Sequence, residues 1–211
     1  MKSILLTISA AAVMGLLGSC TKEPLNNLTE DESRIYITNR DSSANFSSYT
    51  TFSIVDSVSV ISNNRLEGKD ITAYDAAVID ALKARLQQQG YTLVNKTQSP
   101  DIGINVSRIY NTYSGIVSYP DYWGSYYGYW DPFYWGYPGY GYGFPTWYGS
   151  YQITEGALSI DALDLKDAGA DKQIKGVWMG LVRGSGVFRT QNAVNHVKNL
   201  FDQSTYFKSG Q

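Results

Sequence analysis

The sequence predicts an α+β fold, a mostly antiparallel sheet with two helices on one face, and three observations carry that reading. Short alternating runs bounded by turn residues mark strands, as at 34–38 and 102–106. Two stretches with helical spacing of apolar residues, within 70–89 and 193–201, mark the helices. Successive strands are joined by short connections, which favours antiparallel neighbours. The expected order is β-β-α-β-β-loop-β-β-α, with a long Tyr/Trp/Gly-rich loop, residues 114–151, inserted between two strands.

Taken in order, Arg34-Ile-Tyr-Ile-Thr38 alternates and forms a first strand. The run from Ala44 to Asp56 combines a polar turn with a second strand in which Phe52 and Ile54 point one way, while Phe46 and Tyr49 pin the turn to the core. Ile71, Tyr74, Val78, Ala81 or Leu82, and Leu86 repeat at helix spacing. Asp70 or Thr72 caps that helix, and Gly90 stands where a left-handed C-terminal residue belongs. A short strand follows at Tyr91–Val94. After Pro100, Ile102, Ile104 and Val106 face one side of a longer strand, and Gly103, Asn105 and Ser107 the other.

Beyond the loop, apolar parity runs 158, 160, 162 and then switches to 163, 165, which places a β-bulge near Ala162 and Leu163. Asp167–Asp171 reads as a turn. Val177-Trp-Met-Gly-Leu-Val182 is apolar on both faces, as a central covered strand requires, so Trp178 belongs in the core. Gly184 and Gly186 end it. Ala193, Val194, Val197, Leu200 and Phe201 mark the second helix, with Thr190 as N-cap.

The N-terminus carries a different signal. Lys2 precedes an apolar run, Ile4–Gly18, too short for a bilayer core, which needs about 20 predominantly apolar residues. It ends Leu17-Gly18-Ser19-Cys20, which resembles the lipobox of bacterial lipoproteins. That resemblance implies a signal peptide over 1–19, a diacylglycerol on the Cys20 sulfur, further N-acylation, for instance with palmitate, and a membrane anchor of two or more chains. Residues 20–32 are polar and aperiodic and read as a tether, followed by a single domain over 33–208. Thr21 after the cysteine is compatible with outer-membrane delivery in a Gram-negative envelope, on either face. One cysteine excludes an intramolecular disulfide and a cysteine metal cluster.

Several motifs of the body, taken together and in order, resemble the domain of unknown function 4136 family. They are Asn45-Phe46-Ser47-x-Tyr49-x-Thr51-Phe52, Gly90-Tyr91, Pro100-Asp101-Ile102, Gly156-x-Leu158-x-Ile160-Asp161-x-x-Asp164 and Val177-Trp178-x-Gly180, closed by the amphipathic helix. Asn45 stands where Asp is usual in the family, and the end Thr205-Tyr-Phe-Lys lacks its usual Tyr-Pro. The resemblance implies a bacterial lipoprotein and supplies no activity and no catalytic residues.

Charge and chemistry narrow the function further. A formal net charge of −2 and no basic patch argue against nucleic-acid binding. His196 is the sole histidine and reads as a flank residue of a packed helix. Asp161, Asp164, Asp167 and Asp171 lack the spacing of a metal loop. No catalytic, cofactor-binding or metal residues are therefore expected, and the chain is read as a non-catalytic module.

What remains is the ring-rich stretch, which holds four of the five tryptophans and four of the six prolines. Its candidate contact residues are Tyr122, Trp123, Tyr126, Tyr127, Tyr129, Trp130, Phe133, Tyr134, Trp135, Tyr137, Tyr140, Tyr142, Trp147 and Tyr148. Neither helical nor strand periodicity runs through it, so an irregular loop is expected. Its rings are suited to a glycan, an envelope protein or a membrane surface. An uncharacterised envelope enzyme and purely structural rings stay open as alternatives.

Overall fold

A computed structural model describes residues 28–62, 65–110, 116–118, 131–143, 150–152 and 156–210. In chain order its elements are α1 (Glu30–Ser33), β1 (Ile35–Arg40), β2 (Thr51–Ile54), β3 (Val58–Ser62), β4 (Arg65–Asp70), α2 (Ala73–Gln88), β5 (Thr92–Leu93), β6 (Ile102–Tyr110), β7 (Ile116–Ser118), β8 (Gly141–Gly143), β9 (Ser150–Gln152), β10 (Ala157–Asp164), α3 (Ala168–Asp171), β11 (Gln173–Arg183) and α4 (Ala193–Asp202). Three-residue 3-10 turns sit at Phe46–Ser48, Lys96–Gln98 and Thr190–Asn192.

Strand β6 is the spine. On one side β10, β11 and β1 follow in that order, each antiparallel to its neighbour. Along the other side β2 and then β3 pair with β6 in parallel, with β5 outside β2 and β4 outside β3. The sheet is therefore mixed, not mostly antiparallel. Parallel pairing needs a long crossover, and helix α2 lies in the chain between β3 and β6 to provide it. The hairpin β3–β4 has no counterpart in the sequence reading, although Val58, Val60 and Ile61 carried a strand signal.

Both faces of this sheet are buried. Ile102, Ile104 and Val106 share one face with Leu158, Ile160, Ala162, Trp178 and Val182. Helices α2 and α4 cover it. Gly103, Asn105, Ser107, Ser159, Asp161 and Leu163 point to the second face and are buried as well. The bulge lies at Ala162/Leu163 as expected, but the extra residue is Val177 on β11: Ala162 pairs with Trp178 and Leu163 with Gly176. On the β1 side the pairing is not interrupted, and the Val177 carbonyl accepts from Asp41 N at 2.9 Å, next to the Arg40–Trp178 pair. The parity switch in β10 has another cause: its ladder to β6 is unbroken, and Leu163 and Leu165 are core residues of the second face.

Caps fix the helices. Thr72 Oγ1 accepts from Asp75 N at 3.2 Å while Asp75 Oδ2 accepts from Thr72 N at 2.8 Å, a reciprocal box that starts α2. The other Asp75 oxygen lies 3.1 Å from Arg108 Nε, so this fully buried carboxylate ties the helix start to β6. Gly90 closes the helix with φ at 92°. Thr190 does not cap α4, because a 3-10 turn intervenes and Asn192 takes the N-cap position. Its amide donates instead to Gly186 O at 3.1 Å. Asp167–Asp171, expected as a turn, closes into the short helix α3. Order also begins inside the expected tether: Thr29 and Glu32 cap α1, and Glu30 pairs with Arg189.

Trp178 anchors the helical face. It is 0% exposed, its ring lies 5.3 Å from both Phe201 and Phe207, and its Nε1 donates to Ser204 Oγ at 2.9 Å. Trp178→Ala should lower stability by about 3–5 kcal/mol, the range for truncating a large buried ring. Chemical denaturation measures this, and a midpoint indistinguishable from wild type would refute the packing role.

Candidate functional site

The ring-rich stretch is the candidate site, and its described part, residues 131–143, is docked rather than irregular throughout. Gly136 and Gly139 take φ of 86° and 80°, which lets the chain reverse twice within a few residues. Tyr137 N donates to Pro132 O at 2.7 Å across the first of these turns. Beyond them β8 pairs in parallel with Gln173–Lys175 of β11, and β7 pairs with β9. Short strands thus replace the fully irregular loop that the missing periodicity suggested, since backbone pairing at a sheet margin needs no apolar alternation.

Individual rings are sorted into two roles. Trp135 turns inward and is 4% exposed. It lies over Gly103, where an added Cβ would sit 3.0 Å from Trp135 Cζ2 and 2.9 Å from Leu165 Cδ1. Gly103 is therefore the seat of this ring, and Trp135 is a core residue rather than a contact residue. Tyr137 donates its hydroxyl to Leu165 O at 2.9 Å and packs beside Tyr140 at 5.3 Å. The Tyr134 hydroxyl accepts from Asp56 N at 3.1 Å, and its ring carries Lys96 Nζ 3.7 Å from the centroid. Burial raises the phenol pKa of both Tyr134 and Tyr137 above the usual range.

Phe133 does the opposite. Between these fixed neighbours it stands 77% exposed. Tyr142 is placed in β8 by its backbone. Tyr122, Trp123, Tyr126, Tyr127, Tyr129, Trp130, Trp147 and Tyr148 lie outside the described residues, as does Cys20.

The turn also has a definite place along the sheet. Ile35, Arg183, Ala157 and Ile109 lie level with one another at the C-terminal end of β6, where the chain enters the sheet. Gly103, Leu165 and Lys172–Lys175, which receive the docked turn, lie at the opposite end.

The remaining candidates separate. Asp161 and Asp164 point to opposite faces. Asp164 accepts from Tyr49 Oη at 3.1 Å on the helical side, and Ser159 Oγ donates to Asp161 at 3.4 Å on the other. Asp171 pairs with Lys175 at the surface. His196 is buried, its ring nitrogens 3.0 Å from Tyr36 Oη and 3.0 Å from Val187 O. A carbonyl can only accept, so Nε2 carries the proton and Nδ1 takes the Tyr36 hydroxyl hydrogen. Burial holds its pKa at about 4, below the ordinary 6.5, although the Val187 carbonyl favours protonation. The ring is a neutral structural link between β1 and α4. Sequence spacing put it at a helix flank; only the fold turns that flank inward.

Residues 37–204 match the family described as Domain of unknown function (DUF4136). The chain belongs to that family. The match begins within β1 and ends just after α4, so the DUF4136 unit includes nearly the whole sheet, both long helices and the ring-rich insertion. A similar solved structure is a DUF4136 family protein from Bacteroides thetaiotaomicron VPI-5482, 29% identical, with a TM-score of 0.70 over 86% of this chain and 100% of that one. A PDZ domain protein from Parabacteroides distasonis ATCC 8503 aligns at 17% identity and a TM-score of 0.42, over 89% of this chain and 43% of its own. Among curated proteins, none matches. No helix among the described residues of this DUF4136 chain is long and apolar enough to cross a membrane.

Two measurements check this sorting of the rings and of the histidine. Trp135→Ala should cost about 3–5 kcal/mol, whereas Phe133→Ala should stay within about 0.5 kcal/mol of wild type; equal effects in thermal melts would dissolve the distinction. Because the unfolded chain binds a proton at His196 more readily between pH 6.5 and about 4, stability is full above that window and falls as pH drops through it. The loss is on the order of 2 kcal/mol after allowance for solvent screening. His196→Gln should flatten that part of the melting-temperature profile, and parallel profiles for the two proteins would count against a neutral buried ring.

Proposed function

We propose that this chain is an envelope lipoprotein held through Cys20 to the outer membrane, and that its ring-rich segment is a non-catalytic contact surface for a glycan or another envelope protein. Phe133 carries the reading. It is the most exposed large apolar side chain among the described residues, at 77% against 63% for Val194 and 53% for Ile71, and the only aromatic one. Here its immediate neighbours Tyr134, Trp135 and Tyr137 are each fixed to the body, so the ring is presented on a braced turn. Aromatic side chains held this way bind with little further loss of conformational entropy.

The position of the turn favours a partner over the anchoring membrane. A tether from Cys20 reaches the sheet at the end where β1 begins, and Phe133 stands at the other. A purely structural role for the rings accounts for Trp135 and Tyr137 but leaves Phe133 unexplained.

Photo-crosslinkers placed at Phe133 and Trp130 in intact cells should trap a discrete envelope partner or glycan, while one at the buried Trp178 should trap none. Capture of phospholipid alone from Phe133 would overturn the orientation argued above. In the same cells Cys20→Ala should abolish acyl labelling and membrane retention; a variant that still labels and sediments with membranes would remove the lipid anchor from the proposal.

A further inference from the structure

The outer margin of the sheet is broken beside Tyr134. β5 borders β2 at Thr51 and Phe52, β4 borders β3 from Val58 onward, and residues 53–57 are bordered by neither. A groove of about 410 Å³ opens at this break. Its floor is apolar, formed by Ile54, Val94 and Leu93, the last 36% exposed.

The groove walls are rich in donors. Asn95 Oδ1 accepts from Thr97 N at 3.0 Å, and Gln98 Oε1 accepts from Asn95 N at 2.8 Å. Because backbone N–H groups hold both amide oxygens, both amide nitrogens are left to donate. Lys83 and Lys96 add two ammonium groups, and Tyr134 keeps Lys96 in place beneath its ring face. Lys83 also bonds Asp80 at 3.2 Å outside the groove, an exposed pair of the kind worth about 0–1 kcal/mol that an anionic ligand can displace. The one carboxylate among the described lining residues, Asp56, already lies 4.0 Å from Lys96 and accepts from Ser57 Oγ at 3.2 Å. A ligand suited to this lining brings acceptors and negative charge, together with an apolar face for the floor.

We infer that the groove binds a carboxylate-bearing sugar residue. Its size falls within the range of small-ligand sites. The break in the margin is too short for an added β-strand, which draws its affinity from several successive backbone bonds, so a peptide is the poorer fit. Lys83 and Lys96 meet the carboxylate, the Asn95 and Gln98 amides donate to hydroxyl oxygens, and the C–H face of the ring lies on Ile54 and Leu93. This names the ligand class for the contact surface proposed above and rests on the body being a binding module, but not on lipidation of Cys20.

Calorimetry and chemical-shift titration on the detergent-solubilised full chain, with galacturonate, galactose and a tri-glutamate peptide at about 0.15 M salt, test the inference. Galacturonate should bind about tenfold or more tighter than galactose, the loss expected for removing a charge-assisted hydrogen bond. K83Q/K96Q should bring galacturonate down to the galactose level while the chain still melts cooperatively, because exposed ion pairs contribute about 0–1 kcal/mol each. Equal affinity for the two sugars, galacturonate binding that survives the double substitution, or binding of the peptide alone would each overturn it. Galacturonate failing while crosslinks from Phe133 persist refutes the groove ligand only; lost crosslinks with galacturonate still bound refute the Phe133 reading and leave the groove standing.

Discussion

The helical half of the molecule depends on one missing side chain. Gly180 lies two residues from Trp178 on the same face of β11, and a Cβ there would stand 2.5 Å from Trp178 Cη2 and 2.9 Å from Leu200 Cδ1. The indole can lie down across the strand only because nothing rises from Gly180. Once flat, it offers its face to Phe201 and Phe207, so helix α4 and the C-terminal segment close over the sheet. Phe207 in turn packs on Phe46 and Tyr91, which joins the first turn of the domain to its last residues. Its burial draws on ring packing rather than polar contacts, with Ser204 satisfying the one indole donor.

The second face repeats this device with a ring from far along the chain. Gly103 receives Trp135 as Gly180 receives Trp178, and the result is a sheet sealed at that point by the insertion itself. Exposed and packed rings are thus interleaved within five residues. Phe133 faces water, Tyr134 steadies a lysine at the sheet margin, Trp135 fills the core and Tyr137 bonds the β10 terminus. A segment built this way keeps its exposed ring and the adjoining groove in fixed relation. Lost binding entropy is smallest when the contact groups are ordered beforehand.

Polar groups inside the body are linked in pairs that span elements. The Arg108–Asp75 pair is 3.1 Å long with the carboxylate fully buried, and Arg108 reaches Asp70 at 3.0 Å and Tyr110 at 2.9 Å as well. Such a pair gains little over an apolar replacement, yet removing one partner alone strands a buried charge. It fixes where α2 starts relative to β6. His196 does the same between β1 and α4. Both links favour a unique arrangement of helices on the sheet.

The sequence by itself determined the local elements. Helix α2 with its Thr72 cap, the strand at 102–110 and the burial of Trp178 follow from periodicity, capping chemistry and apolar patterning, which depend on near neighbours. The family was legible too, because several short motifs recur in one order. Tertiary structure alone decided what depends on distant partners. Strand direction was one such matter: β2 and β3 run parallel to β6 because α2 carries the chain back, and no residue in the strands encodes that. The division of the rings was another. Phe133, Tyr134, Trp135 and Tyr137 are all large rings in one aperiodic run, and what separates them is whether a glycine, a backbone carbonyl, a backbone N–H or water lies opposite, the first three supplied by residues 103, 165 and 56 from elsewhere in the chain.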